Sequence, residues 1–132
     1  MFYKIVERIL EELKDDVLAI ILFGSYARFG KGNDIDLVVI TKHKFPISKK
    51  EEIERKLVSN LNKEFNYKYL FDVHIFDIEG FKKNLKPPNF LSGIFLGYKV
   101  LYDKVNVQKI IESMKKYAKG YTLVDKYGVW RF

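Results

Sequence analysis

The sequence predicts an α/β (α+β) protein with a small sheet of about four strands flanked by helices. Three observations support this fold class: apolar residues recur at helical spacing near the N-terminus, two nearly unbroken apolar runs follow, and a later segment alternates apolar and polar residues. Such elements bury their apolar faces by packing in layers. The 132 residues are a usual length for one domain and short for two, so we expect a single domain over residues 1–132.

The first third of the chain predicts one helix and two buried strands. An amphipathic helix comes first, with its apolar face formed by Phe2, Ile5, Val6, Ile9, Leu10 and Leu13. The apolar run from Val17 to Phe23 predicts a buried strand that ends at Gly24. We expect residues 25–33 to form a loop. A second strand is predicted from Asp34 to Thr41, with Asp34 and Asp36 on one face.

The middle of the chain predicts a helix and a third strand. Ser48 followed by Glu51 fits a capping box, which opens a helix with one apolar face formed by Ile53, Leu57, Leu61 and Phe65. A strand from Tyr69 to Phe76 is predicted from alternation. Its two faces carry Phe71, Val73 and Ile75 on one side and Asp72, His74 and Phe76 on the other.

The last part of the chain has weaker patterns. Helices are predicted over residues 78–85, before Pro87-Pro88, and over residues 90–96. A short edge strand is expected from Lys99 to Tyr102, and a last helix near residues 107–114. Residues 120–132 form an aromatic C-terminal extension that contains Trp130. We interpret this extension as a segment that packs over the apolar core or that contacts another copy of the chain, rather than as a ligand site.

Composition excludes several classes of protein. There is no cysteine, so disulfides, thiolate metal sites and a cysteine nucleophile are excluded. Charges near the N-terminus interrupt any signal-peptide core, and no apolar run reaches membrane-spanning length, so we expect a soluble, cytoplasmic protein without a membrane partner. The formal net charge is +7, which attracts phosphate-bearing partners. We favour a lysine-rich surface over a dedicated nucleic-acid face.

The chemistry is concentrated between Ile20 and Ile40. The predicted strand ends in Gly24-Ser25, where the backbone can approach a ligand closely and Ser25 offers a hydroxyl and an N–H to an anion. Arg28 and Lys31 follow as candidate phosphate-binding cations. Asp34 and Asp36 lie roughly 6.5–7 Å apart along one strand face, and two such carboxylates can converge on magnesium together with phosphate oxygens.

The string Gly24-Ser25-Tyr26-Ala27-Arg28, followed by Asp34-Ile35-Asp36-Leu37, resembles the signature of the polymerase-β-like nucleotidyltransferase superfamily. It is most similar to the minimal nucleotidyltransferases, which are antitoxin-like. The resemblance implies the nucleotidyltransferase fold with a small mixed sheet. It also implies that the Gly-Ser turn holds a triphosphate and that the paired Asp residues bind magnesium, with manganese as the alternative ion. A third carboxylate of the family maps onto Asp72.

The resemblance further implies transfer of AMP from ATP, or of another nucleoside monophosphate, to an acceptor hydroxyl. In this family the acceptor is often a tyrosine of a small helical HEPN-type protein, so we expect a protein partner or a homodimer. Only eight residues separate Ser25 from Asp34, about two fewer than the family usually has. The alternatives are therefore a catalytically inactive module that binds nucleotide or a partner, and a basic RNA-binding protein.

Overall fold

The computed structural model describes residues 1–125 and 128–132 and contains a four-stranded mixed sheet. The strands are β1 (Val17–Phe23), β2 (Asp34–Thr41), β3 (Leu70–Phe76) and β4 (Lys99–Asp103). Their order is β3-β2-β1-β4. Strands β2 and β3 are parallel, whereas β1 is antiparallel to both of its neighbours. The predicted mixed sheet is confirmed, and β4 lies at an edge as predicted.

Five α-helices and a separate two-stranded sheet complete the part of the chain that the structure describes. The helices are α1 (Phe2–Leu13), α2 (Gly24–Phe29), α3 (Ile47–Glu64), α4 (Ile78–Leu85) and α5 (Val107–Met114). Short 3₁₀ helices span Lys14–Asp16, Phe90–Leu96 and Lys115–Ala118. The predicted aromatic extension contains the antiparallel strands β5 (Thr122–Asp125) and β6 (Gly128–Arg131), here called the C-terminal ribbon. Lys126 and Tyr127 of that extension lie outside the described residues.

The sheet separates two apolar cores, because successive residues of a strand point to opposite faces. One core lies under α1 and α3 and contains Ile5, Ile9, Leu37, Val39 and Leu57. The other lies under α4, α5 and the 3₁₀ helix Phe90–Leu96, and contains Ile21, Val38, Ile40, Phe81 and Ile111. Both faces of β1 and β2 are therefore buried, which explains their continuous apolar runs. In the described ranges, no helix is both long enough and apolar enough to span a membrane.

Residues 25–33 do not form the continuous loop that the sequence predicted. Residues 24–29 form α2, and Gly30 ends it in the left-handed conformation with φ 71°. The backbone N–H of Gly30 donates to the carbonyl of Tyr26 at 2.8 Å. Tyr26 and Ala27 pack against the core, so this segment has a buried side that favours a helical turn. The glycines of the segment had suggested flexibility, whereas one of them ends a helix.

The predicted capping box at Ser48 is also wrong. Helix α3 begins at Ile47, its N-cap is Pro46, and no side chain caps it. The N–H of Lys50 donates to the carbonyl of Pro46 at 2.9 Å, which closes the first turn two residues earlier than the capping box requires. Ser48 therefore lies within the helix. The apolar face of α3 is as expected, with Ile53, Leu57 and Leu61 buried.

Strand β3 forms the second edge of the sheet, and a side chain of α3 satisfies one of its outward backbone groups. The N–H of Ile75 donates to Glu54 Oε2 at 2.8 Å. The carboxylate is mostly buried, with the Glu54 side chain 18% exposed, and Lys50 Nζ lies 3.7 Å from it. An edge N–H that would otherwise need water is thus paired inside the protein.

Candidate active site

Gly24 and Asp36 meet where β1 ends and β2 begins. Phe23, the last residue of β1, is the register partner of Asp36, so the chain leaves β1 beside this carboxylate. Gly24 has φ 77°, and a Cβ at this position would overlap Asp36 Oδ2. The position therefore requires glycine for two independent reasons: its left-handed backbone and the close approach of the carboxylate.

Asp34 and Asp36 share the face of β2 that also carries Val38 and Ile40. Val38 and Ile40 are buried in the core under α4 and α5, whereas Asp34 and Asp36 are partly exposed at the beginning of the strand. Ile35 points to the opposite face and is fully buried. The two carboxylates therefore lie on one side of the sheet, just beyond the end of the core, as the alternation predicted.

Asp72 belongs to the same edge of the sheet, because it is the register partner of Asp36 in the parallel pair β2–β3. Its side chain is 63% exposed, and Oδ2 lies 2.9 Å from Nε2 of His74, which is 26% exposed. The His74 ring packs on Phe90 with 4.7 Å between centroids. The sequence placed His74 on the Asp72 face, and the structure adds the hydrogen bond between the two side chains.

Asp77, the other carboxylate at the end of β3, has a different role. Its side chain accepts the backbone N–H of Gly80 at 3.1 Å and caps α4. That contact orients Asp77 toward the helix, at the opposite end of β3 from Leu70, the partner of Asp34.

The candidate phosphate-binding residues lie on α2 and just after it. Ser25 and Arg28 are partly exposed residues of α2, and Lys31 is exposed in the turn that follows. The guanidinium carbon of Arg28 lies 5.1 Å from the ring centroid of Phe29 and 4.6 Å from that of Trp130. No sequence signal connected Trp130 with Arg28, because the two residues are 102 positions apart and meet only through tertiary packing.

The carboxylates fit a divalent cation only if other ligands take part. Within residues 1–125 and 128–132, no group of three or more His, Cys, Asp or Glu side chains converges closely enough to hold a metal ion. Asp72 is directed to His74, whereas Asp34 and Asp36 offer hard oxygen donors on one strand face. Magnesium is commonly held by one or two carboxylates together with substrate phosphates and water, and this donor set matches that pattern.

A groove of about 430 Å³ adjoins Asp72 and His74 at the free edge of β3. Its other wall is α3, which contributes Glu51, Arg55 and Ser59, and Tyr67 closes one side. The groove is open to solvent, and Asp72 is among the residues that line it.

Gly24 and Ser25 begin α2 where β1 ends, and Asp36 and Asp72 are register partners in the neighbouring strands β2 and β3. The chain belongs to the nucleotidyltransferase family, because the family model described as the nucleotidyltransferase domain matches residues 3–119. A Methanocaldococcus jannaschii relative, whose name describes it as a candidate protein adenylyltransferase, is 34% identical over 141 residues. The match covers 99% of this chain and 94% of that protein. The chain is therefore a nucleotidyltransferase.

Solved structures with the same fold come from toxin–antitoxin complexes. An MntA–HpeT complex has a TM-score of 0.56 at 18% identity, covering 89% of this chain and 86% of that one. A Shewanella oneidensis complex of a tri-AMPylated HEPN toxin with an MNT antitoxin has a TM-score of 0.54 at 21% identity, covering 89% and 87%. A toxin–antitoxin complex with AMP-PNP has a TM-score of 0.54 at 20% identity, covering 84% and 85%. These similarities establish the fold.

Proposed function

We propose that this protein transfers a nucleoside monophosphate, AMP from ATP, to an acceptor hydroxyl in a magnesium-dependent reaction. The observation that carries the proposal is the close approach of the Asp36 carboxylate to Gly24, where Oδ2 occupies the space that a Cβ would need. It brings the proposed metal ligand against the Gly-Ser turn that would hold the triphosphate. A side chain at position 24 would separate the two, so the glycine permits both to act on the same phosphates.

The proposed metal ligands are Asp34 and Asp36, with Asp72 completing the site when the substrates are bound. Nucleotidyltransferases generally use divalent metals, and carboxylate oxygens are ligands that magnesium and manganese both accept. A bound ion of this kind neutralises triphosphate charge and polarises the α-phosphate. Ser25 would donate its hydroxyl and backbone N–H to phosphate oxygens, while Arg28 and Lys31 would contribute positive charge.

In the proposed transfer step, the acceptor hydroxyl loses its proton to Asp72. The acceptor hydroxyl oxygen attacks the α-phosphorus, and a new P–O bond forms. The bond from the α-phosphorus to the bridging oxygen of the β-phosphate breaks, and pyrophosphate leaves with the bonding electrons. Asp72 takes the hydroxyl proton as a general base. His74 Nε2, at 2.9 Å from Asp72 Oδ2, would hold that carboxylate in a fixed orientation.

The proposed acceptor is a tyrosine of a HEPN-type helical partner, which would enter by the groove beside Asp72. Support comes from the similar Shewanella oneidensis complex, in which an MNT antitoxin accompanies a tri-AMPylated HEPN toxin. The relative described as a candidate protein adenylyltransferase agrees with a protein acceptor. The wall of the groove formed by α3 carries Glu51 and Glu54 together with Arg55, so it lacks the uniformly basic character that binds a phosphate backbone.

Isothermal titration of ATP into the protein, with and without magnesium, tests the binding part of the proposal. We expect binding that needs the ion and is lost in an Asp34→Asn/Asp36→Asn double variant. Asp15→Asn is the matched control, because Asp15 is an exposed aspartate before β1, at the end of that strand opposite Gly24. The control should bind as the wild type does. Absence of binding to the wild-type protein with either magnesium or manganese would remove the basis of the proposal.

Mass spectrometry of a co-expressed helical partner tests the transfer. Incubation with ATP and magnesium should add AMP to a tyrosine of the partner, and the double variant should add none. AMP added only to RNA, or to no macromolecule although ATP binds, would contradict the proposed acceptor while leaving the nucleotide site intact.

A further inference from the structure

Arg28 is contacted by Gly97 and Trp130, which are distant from it in sequence, and by its chain neighbour Phe29. Its Cγ lies 3.1 Å from the position that a Cβ on Gly97 would occupy, so a larger residue at 97 would press on the arginine stem. Its guanidinium carbon lies 4.6 Å from the Trp130 ring centroid and 5.1 Å from that of Phe29. A long side chain that normally samples many rotamers is thereby restricted.

The C-terminal ribbon that carries Trp130 is itself fixed to the domain. Trp130 pairs with Leu123 across the ribbon. The next residue but one, Phe132, packs edge-to-face on Phe95 of the 3₁₀ helix Phe90–Leu96, with 6.0 Å between centroids. Its backbone N–H donates to the carbonyl of Tyr121 at 3.0 Å. The contact of Phe132 with Phe95 therefore joins the end of the ribbon to the domain.

The two faces of the ribbon differ in character. Val124 and Val129 form a register pair and are 73% and 61% exposed, so this pair points to solvent. Trp130 and Leu123, on the other face, are partly buried. The ribbon therefore presents its tryptophan to Arg28 and its valines to water, which gives Val129 the properties of a matched control.

Stacking against an aromatic ring suits an arginine that binds phosphate. In a stacked pair the ring covers the flat face of a guanidinium and leaves the in-plane N–H donors able to bind an anion. The contact restricts the side chain without removing its charge, and a cation–π attraction favours this placement. Pre-organisation of this kind lowers the entropy lost when a ligand binds.

We propose that Trp130 is a positioning residue of the nucleotide site, whose ring holds Arg28 in the orientation that binds the triphosphate. The proposal rests on the function proposed above, and it makes the C-terminal ribbon a part of the site. Trp130 acts through Arg28 and takes no part in the chemical step. Its loss should therefore weaken nucleotide binding and leave the maximal rate at saturating ATP unchanged.

The test compares the affinity for ATP with magnesium among variants of the full chain by isothermal titration. Trp130→Ala should raise the Kd about tenfold, Trp130→Phe should stay within about threefold of wild type, and Val129→Ala should have no effect. In an Arg28→Met background, Trp130→Ala should cause no further loss, because the arginine through which it acts is gone. An unchanged Kd in Trp130→Ala, or a full additional loss in the Arg28→Met background, would overturn the proposal.

Intrinsic fluorescence gives a second readout that needs no variant, because Trp130 is the only tryptophan of the chain. Its emission should change as ATP with magnesium saturates the site, with the same Kd that the heat of binding gives. Heat without an emission change would overturn the role of Trp130 and leave the proposed function standing. No heat in the wild type would overturn the proposed function, and this inference with it. If circular dichroism shows Trp130→Ala to be unfolded, Trp130→Leu replaces it in the Kd measurement, because leucine keeps an apolar side chain at this position but has no aromatic ring.

Discussion

Replacing Gly24 by alanine combines two effects that can be separated by experiment. The left-handed backbone, with φ 77°, costs an L-residue about 1–2 kcal/mol, which corresponds to a decrease in melting temperature of roughly 3–10 °C for a chain of this size. The new Cβ would also overlap Asp36 Oδ2. Asp36 is partly exposed and can rotate away, so the overlap should displace the carboxylate rather than unfold the protein.

The displacement should appear in function. A catalytic group moved by about 1 Å commonly lowers the rate by about 10²-fold, and we expect a loss of that order in nucleotide transfer by Gly24→Ala. Gly30→Ala is the matched control. Gly30 is also left-handed, with φ 71°, but nothing lies within 4 Å of an added Cβ. Gly30→Ala should lower the melting temperature about as much as Gly24→Ala does, and it should retain most of the transfer activity.

Thermal unfolding and a transfer assay on the same preparations measure the two effects. The reasoning predicts similar melting temperatures for the two alanine variants and a rate difference of about two orders of magnitude between them. Equal activity of Gly24→Ala and Gly30→Ala would show that the contact with Asp36 has no functional importance. A much lower stability of Gly24→Ala than of Gly30→Ala would show that Asp36 cannot move aside.

Three other substitutions test separate parts of the structure. Asp72→Asn should lower the transfer rate by about 10²–10⁴-fold, as expected for loss of a general base. Its ATP affinity should fall less than that of the Asp34→Asn/Asp36→Asn double variant, because Asp72 completes the site only when the substrates are bound; equal losses in affinity and rate would contradict the role as a base. Glu54→Ala should lower the free energy of unfolding by about 1–3 kcal/mol, because the N–H of Ile75 loses its acceptor. Glu54→Gln keeps an oxygen acceptor and should retain most of the wild-type stability, and a urea titration measures both variants. Phe81→Ala should cost about 3–5 kcal/mol in the same titration, since Phe81 is fully buried.

Local patterns were sufficient to predict most of the secondary structure. Strands β1 and β2 follow the predicted bounds because both are buried on two faces and their apolar runs are continuous. Strand alternation also predicted that Asp34 and Asp36 share a face of β2 and that Asp72 and His74 share a face of β3. Their functional roles remain predictions. The register that pairs Asp36 with Asp72 depends on strand order, which a local pattern does not contain.

The errors arose where tertiary contacts decided the local conformation. Helix α2 forms because Tyr26 has a buried side, although the surrounding glycines suggested a loop. Helix α3 begins at Ile47 because the carbonyl of Pro46 is available to close its first turn. The contact of Trp130 with Arg28 had no local signal at all, because it needs the ribbon to fold back onto α2.

The pairing of Glu54 with the backbone of Ile75 has a consequence for how other proteins can bind. An open edge strand recruits extended segments of other chains through its exposed backbone groups. Here the carboxylate of Glu54 already occupies the outward N–H of Ile75, so an incoming strand would have to displace a mostly buried acidic side chain to lengthen the sheet. At this position the edge of β3 is therefore less available for pairing with a strand of another molecule.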